Sequence, residues 1–440
     1  MLPYSPLHHL LVRDFGGPLV ATSGNLSGEP VLTEPEEAER RLDRVADGFL
    51  HHDRPILRPA DDALYRTTGG RPRPLRLGRG SAPLELELPA PMAHPTLAVG
   101  GHLKACIALA WERRLVVSPH IGDMGTLRSQ QVFEQLVQDL QALYRVEARR
   151  LVCDAHPDYS THRWARRDGR PLHRVLHHHA HASALAGEAE WDRPGLVFTW
   201  DGTGLGEDGT LWGGELFYGL PGAWERVGRL RPFRLPGGDL AGRAPWRSAA
   251  ALLWETGLDW AGLPSTSELA HQAWRRGLNA PPSSAAGRLF DAAASLCGLV
   301  QEASFEGQGP MYLEALVRAP GEPCELPLRR TPVGLWELDW APLLPRLLEP
   351  GVGPQRKAED FHSSLALALR RQAQQLARER AVERVGLCGG VFQNRVLVDQ
   401  ARAALAEAGF AVDLPLQLPA NDAAIAFGQI QEQLARDQSR

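Results

Sequence analysis

Twice in this chain an apolar strand runs into a glycine-bearing turn and comes back as a second apolar strand. The first copy is TLAVGGHLKACIALAWERRLVVSPHIGDMG from Thr96, and the second is GLVFTWDGTGLGEDGTLWGGELFYGL from Gly195. Runs of Val, Leu, Ala and Trp bounded by Gly, Asp and Pro read as strands joined by turns, and helical stretches follow. A third segment, VERVGLCGGVFQNRVLVDQARAALAEAGF, reads as a strand, a Gly-Gly turn and a helix. That arrangement lets backbone N–H groups approach an anion at a helix start. Two copies that differ in sequence but agree in pattern point to a duplicated α/β architecture.

The pattern is the one expected of the two-lobed actin-like ATPase fold, in which each lobe offers a phosphate loop to a nucleotide held between them. We therefore expect an N-terminal unit over residues 1–82, a proline-rich linker over 83–95 and a two-lobed body over 96–440. Lobe one takes about 96–195 and lobe two about 196–440, with an insertion over about 220–355 that is dense in Pro, Trp and Arg. A long helix over AEDFHSSLALALRRQAQQLARERA, its leucines and alanines spaced for one buried face, leads back to the last strand. In the N-terminal unit, PLVATSGNLSGEPV reads as a strand entering a loop, and TEPEEAERRLDRVA as a helix with Thr33 as N-cap.

Composition narrows the function classes. A chain of 440 residues, 43% hydrophobic and 23% charged, is an ordinary globular one. Its net charge of -4 gives no global case for nucleic-acid binding. Its five cysteines are scattered without a CxxC pair, against a disulfide framework or a zinc finger. No run of about 18 apolar residues is present and the N-terminus lacks the build of a secretory signal, so no membrane partner is expected and the cytoplasm is the expected compartment.

Several short stretches carry chemistry. LHHHAHASALA, residues 176–186, puts four histidines into five positions at the head of a helical run. On a helix, His177 and His181 share one face and can converge on one ion; a solvated polar tract would read the same. Asp201, between an apolar strand and Gly-Thr-Gly, is placed to reach into a cleft or to close an Asx-turn. Asp422, before a small-residue helix, is a second carboxylate or a helix cap. Two imidazoles and two carboxylates from separate segments would suit Zn or Fe. Gly100 and Gly101 fit an anion loop or a hairpin, and Lys104 beside them is a candidate phosphate contact. Ser23, Asn25 and Ser27 form a donor-rich loop fit for phosphate or ribose, or a plain turn. His156, Asp158 and Tyr159 line a cleft or a structured loop.

Taken together, these segments resemble the HypF family, the carbamoyltransferases of NiFe-hydrogenase maturation. ATSGNLSGEP, HHDRPILRPADDALYR and LRLGRG are similar to the second half of its YrdC/Sua5-like domain. VGGHLKACIAL, SPHIGDM, CDAHPDYSTHRWA, HHHAHA, DGTGLGEDGTLWGGE, GRLFDAAASLCGL, FEGQ, CGGVFQN and NDAAIAFGQ follow the order of its Kae1-like domain. The resemblance implies a partial YrdC/Sua5-like domain followed by a two-lobed Kae1-like domain. It implies that carbamoyl phosphate and ATP give carbamoyl-adenylate, whose carbamoyl group passes to the C-terminal cysteine of a HypE-like acceptor. It also implies a divalent metal, Fe or Zn, with Mg accompanying the nucleotide. His177, His181 and Asp201 are then catalytic, and with Asp422 they are the metal ligands. Gly100, Gly101, Lys104, Asp291, Gly389, Gly390 and Asn394 fall at nucleotide-contacting places, and Ser23, Asn25 and Arg66 in the adenylation half.

The chain also departs from that family. Against the family pattern it opens in mid-domain, without the acylphosphatase, zinc-finger and first YrdC-like parts, so the transferase half is expected to be intact and adenylation to depend on the missing parts. Ala423 and Ala424 stand where that family usually shows glycines. Two other readings stay open: an O-carbamoyltransferase acting on a small-molecule hydroxyl, and a catalytically incomplete module that binds nucleotide or partner.

Overall fold

The computed structural model describes Pro3 and residues 5–439. The N-terminal unit holds helices α1 (Pro6–Phe15) and α2 (Pro35–Leu42) and an antiparallel hairpin, β1 (Leu64–Thr68) and β2 (Arg71–Arg76). Both helices begin with proline, whose missing N–H costs nothing in a first turn. Two expectations fail here. Helix α2 starts at Pro35 with Glu34 at the N-cap position, so Thr33 is not its cap. The segment around Leu19 and Val20 is exposed and forms no strand, because no neighbouring strand among the described residues bonds to it.

Lobe one comprises β3 (Leu84–Glu87), β4 (Thr96–Ala98), β5 (Ala108–Trp111), β6 (Arg114–Val117), α3 (Leu127–Tyr144), β7 (Arg150–Asp154), α4 (Ser160–Asp168) and β8 (Leu172–Val175), in the strand order β3-β6-β5-β4-β7-β8. Helix α5 (His177–Glu188) leads into lobe two. The stretch expected as a linker is part of this sheet, since β3 pairs antiparallel with β6. Leu84 and Leu86 pack inward while Glu85 and Glu87 face out, the alternation of a half-buried edge strand.

Lobe two opens with β9 (Gly195–Leu205), β10 (Leu211–Gly219) and β11 (Glu225–Leu230). Next come β12 (Phe233–Arg234), α6 (Pro245–Thr256), α7 (Ser267–Arg275), β13 (Pro282–Ser283), α8 (Ala286–Leu296), α9 (Gln308–Leu316), β14 (Leu328–Arg330), β15 (Trp336–Leu338) and α10 (Leu343–Leu348). It closes with α11 (Pro354–Ala377), β16 (Arg384–Cys388), α12 (Arg395–Glu407), β17 (Ala411–Asp413) and α13 (Ile425–Gln438).

The duplication read from the sequence is present in the topology. Strands β6-β5-β4-β7-β8 and β11-β10-β9-β16-β17 occupy the same order, with an antiparallel meander on one side and two parallel strands on the other. Because β11 belongs to the repeat, the insertion begins after Leu230, later than expected. It is woven into the lobe: β15 pairs with β11, and Leu252 and Phe290 from α6 and α8 join Phe198, Trp200 and Phe361 in one core. Both faces of the lobe-one sheet are covered. Leu97 and Leu151 pack on Phe133 and Leu140 of α3, while Ala98 and Val152 pack towards Ile425 and Ile430 of α13. Such two-sided burial explains the unbroken apolar runs.

Where α5 meets α13, side chains give way to backbone. A Cβ on Gly428 would lie 1.8 Å from the carbonyl oxygen of Ala180, and one on Gly187 would lie 2.6 Å from Gln431. Only glycine permits this approach, and it brings the histidine helix close to the turn that precedes α13. No helix among the described residues is long and apolar enough to cross a membrane.

Candidate metal centre

The four-histidine tract divides by environment. His177 and His181, on the first turns of α5, aim their Nε2 atoms at one point; His177 Nε2 lies 3.3 Å from Asp201 Oδ2 and 3.7 Å from Asp422 Oδ1. His181 Nε2 lies 3.7 and 3.6 Å from the same two atoms. His178 packs by Gly204 and Trp212, and burial holds it well below the usual imidazole range, hence neutral. His179 sets its ring edge-on to Phe217 at 5.0 Å, and burial pushes it down to about 4. Two histidines converge and two pack.

The carboxylates arrive from lobe two. Asp201 lies within β9, which runs on to Leu205, and not at the strand end that the sequence pattern suggested. Its Oδ1 accepts a 3.0 Å bond from the N–H of Gly390, leaving Oδ2 for the histidines. Asp422 is freed by its neighbour: Asn421 provides the cap, its side-chain oxygen accepting from Ala423 N at 3.1 Å. Ala423 and Ala424, directly after Asp422, are buried in the lobe-one core.

A third carboxylate, Asp154 at the end of β7, completes the surroundings. Its Oδ2 takes a 2.7 Å bond from His177 Nδ1 and its Oδ1 accepts from His156 N at 2.9 Å. The bond fixes the proton on Nδ1 and turns the Nε2 lone pair to the cluster, the support a metal-ligating histidine commonly has. The electrostatics follow from this crowding. Burial works against every charge here, yet Asp422 and Asp154 hold His177 well above its ordinary range. Against the same penalty, the adjacent His177 and His181 imidazoles hold Asp201 well below the carboxylate range.

This donor set fits a divalent cation. His177 Nε2 and His181 Nε2 are buried without a hydrogen-bond partner, a costly state that a metal bond relieves. One ligand atom from each of the four residues lies within 4.8 Å of every other. The N to O separations of 3.3–3.7 Å match the edge of a tetrahedron with bonds of roughly 2.0–2.2 Å. It is the one such grouping among the described residues.

The remaining expected residues scatter by role. Gly101 lines the cluster, its hypothetical Cβ 3.8 Å from His177 Cε1 and from Asp422 Oδ2. Gly100, at φ 70°, is clasped through its N–H and C=O by the Gln429 amide at 3.0 and 3.2 Å. Gly389, at φ 99°, passes so close to Trp200 that a Cβ would lie 2.3 Å from its carbonyl oxygen. Lys104 pairs with Glu306 of the insertion, spanning the two lobes. Asp291 is buried in α8, 3.0 Å from Arg288. Asn394 caps α12 through Leu397 N at 2.9 Å and donates to His362 Nε2 at 2.9 Å, so its side chain is engaged within the fold. Asn25 folds its own loop by donating to Leu26 O and Glu29 O, and Ser23 is exposed beside it. Arg66 turns instead to lobe two, where it grips Glu314 at 2.7 and 3.0 Å. Nothing among the described residues bonds Ser23 or Asn25 to Arg66. Sequence reasoning missed Asp154, although it too is an acid ending a buried apolar strand before a turn, and it missed Asn421, a cap residue directly before Asp422.

A duplicated three-plus-two sheet pair, joined at a buried cluster of two histidines and two aspartates, defines a two-lobed Kae1-like protein of the actin-like ATPase class. Residues 197–429 match the family described as carbamoyltransferase, Kae1-like domain, second subdomain, and residues 91–188 match the HypF Kae1-like domain. Residues 1–78 match the Sua5/YciO/YrdC family. The chain is 39% identical to carbamoyltransferase HypF of Synechocystis over all of this chain and 60% of that protein. It is 37% identical to a carbamoyltransferase HypF homolog of Cupriavidus necator, over 78% of this chain and 92% of that one. A crystal structure of full-length HypF in a phosphate- and nucleotide-bound form superposes with a TM-score of 0.92 at 30% identity, covering 99% of this chain and 70% of that one. The chain belongs to the HypF carbamoyltransferase family, as a partial YrdC-like domain followed by a Kae1-like domain. It spans about 60% of the length of the Synechocystis and Rhodobacter capsulatus relatives.

Proposed function

We propose that this chain carries the transfer half of a HypF-type carbamoyltransferase reaction. Carbamoyl phosphate and ATP supply carbamoyl-adenylate, and the two-lobed body passes its carbamoyl group to the C-terminal cysteine of a HypE-like acceptor. The observation that carries this reading is the convergence of His177, His181, Asp201 and Asp422 between the lobes. These four side chains would hold a divalent ion, Zn or Fe, and when bound it supplies a Lewis acid that polarises a carbonyl or phosphoryl oxygen.

The chain's own groups do the rest. Asp154 keeps the proton on His177 Nδ1, and Gly390 N–H orients Asp201. Gly101, lacking a side chain, leaves room beside the cluster for the acyl group. Lys104, held by Glu306, offers positive charge for a phosphate oxygen. During transfer the carbamoyl C–O bond to phosphate breaks as the C–S bond forms; AMP leaves with the bonding pair, and the thiol proton passes to water.

The test supplies preformed carbamoyl-adenylate and a HypE-like acceptor to the metal-loaded chain and reads the acceptor's terminal cysteine by mass spectrometry. A carbamoylated cysteine is expected. Nucleotide binding without transfer, or carbamoylation of a small hydroxyl compound instead, would overturn the reading.

A further inference from the structure

The two aspartates of the cluster come from segments 221 residues apart, the difference between positions 201 and 422, yet one hydrogen-bonded chain ties them together. Gly390 N–H holds Asp201 Oδ1 at 3.0 Å. The carbonyl of that same Gly390 accepts from Gln393 Nε2 at 3.0 Å. Gln393 Oε1 accepts from Asn421 Nδ2 at 2.8 Å, and Asn421 Oδ1 caps the turn that presents Asp422. A parallel backbone bond, Gly389 N to Ala420 O at 2.8 Å, closes the two turns against each other.

The chain does not end there. Asn421 Nδ2 also donates to Leu75 O of β2 at 3.0 Å, and Arg66 of β1 donates to Gln393 O at 3.3 Å while gripping Glu314. Glu314 in turn accepts from Arg395 N at 2.9 Å, just after the Gln393 turn. Asn421 is buried and every polar atom of its side chain is used, which fixes its amide orientation: the reversed amide would set NH2 against Ala423 N–H. This network is buried at Asn421 and half-buried at Gln393, and hydrogen bonds that share members in this way stiffen one another.

We propose that Asn421 and Gln393 are positioning residues that fix Asp201 and Asp422 relative to each other, and that the β1–β2 hairpin of the YrdC-like unit braces them through Leu75 and Arg66. The inference rests on the metal-centre reading above and adds to it a physical link from the YrdC-like unit to the transfer site. Neither Asn421 nor Gln393 belongs to the donor set, so their effect reaches the ion only through the aspartates.

The experiment titrates the full chain with Zn2+ in competition with a chromophoric chelator, and follows thermal unfolding in parallel. Asn421→Ser keeps a competent N-cap but cannot reach Leu75 or Gln393; Gln393→Met keeps length and loses both amide bonds. Each is expected to weaken Zn2+ binding about tenfold, and the double variant to weaken it no further than the stronger single one. Arg66→Met, on the half-exposed side, is expected to weaken it about threefold. If Asn421 serves only as a cap, Asn421→Ser binds Zn2+ as tightly as the parent chain, and that result overturns the proposal. Should Asn421→Ser not fold, an unchanged affinity in Gln393→Met overturns it equally. Unchanged affinity in Arg66→Met removes the hairpin from the network. A parent chain that takes up no Zn2+, and matches His181→Ala, refutes the metal centre itself instead.

Discussion

The two lobes share a strand order and differ in what they donate. Lobe one ends in β8 and α5 and supplies nitrogen: His177 and His181, with Asp154 behind them. Lobe two supplies oxygen, from Asp201 in its first strand and Asp422 before its last helix. The difference teaches that neither lobe holds a site alone. Along the chain each gives two groups of one kind, but in space α13 packs on the lobe-one sheet and α5 against β9 and β16, so the crossing of these two helices completes the set.

Seven substitutions bear on that division. The largest effect is expected from removing a donor: His181→Ala should lower Zn2+ affinity well beyond the roughly 100-fold that marks the upper range for supporting residues, read by chelator competition. Equal loss in Asp422→Asn would support the even division between lobes, and retained binding in either would break it. Gly428→Val attacks the lobe contact, because its first added carbon meets Ala180 O at 1.8 Å. It should cost about 3 kcal/mol or more in denaturant unfolding, and a near-neutral result would mean the lobes can part without penalty.

Buried acids sharpen the contrast. Asp154 is held by two donors, whereas Asp291 in lobe two is paired with Arg288, and burial lifts it from about 3.8 to about 6. Folded Asp291 therefore keeps its proton more tightly than the unfolded chain does. The stability this confers is complete below about pH 4 and lost as pH rises through about 6, by about 2–3 kcal/mol. Asp291→Asn should flatten that decline in chemical denaturation across this window, and an unchanged slope would refute it. Asp154→Asn should cost about tenfold in Zn2+ affinity, with His177 still folded in place.

The smallest effect separates the N-terminal unit from lobe one. Thr126 caps α3 through Ser129 N at 3.1 Å, so Thr126→Ala should cost about 1 kcal/mol. Thr33→Ala should shift stability by less than about 0.5 kcal/mol, and a larger loss would restore Thr33 as a helix cap.

That His177, His181, Asp201 and Asp422 cluster was legible in the sequence because their signals are local. An i, i+4 histidine pair, an acid between a strand and Gly-Thr-Gly, and an acid before a small-residue helix each show within a few residues. The duplicated meander was legible for the same reason. What escaped reading depends on partners far away in the chain. Residues 84–87 look like linker until β6 is beside them, and β11 looks like insertion until its place in the repeat is seen. The region of Leu19 and Val20 has a strand's composition and no neighbour to pair with. Asp154 and Gln393 reach the cluster through bonds to His177, Gly390 and Asn421, which periodicity does not encode.

Where Gly428 lies against Ala180, two helix backbones touch with no side chain between them to compress or rearrange. Such a bearing can turn but has little freedom to slide. The imidazole pair rides one shaft and Asp422 sits at the head of the other, so rotation of one half against its twin would leave the four clustered side chains close to the fulcrum.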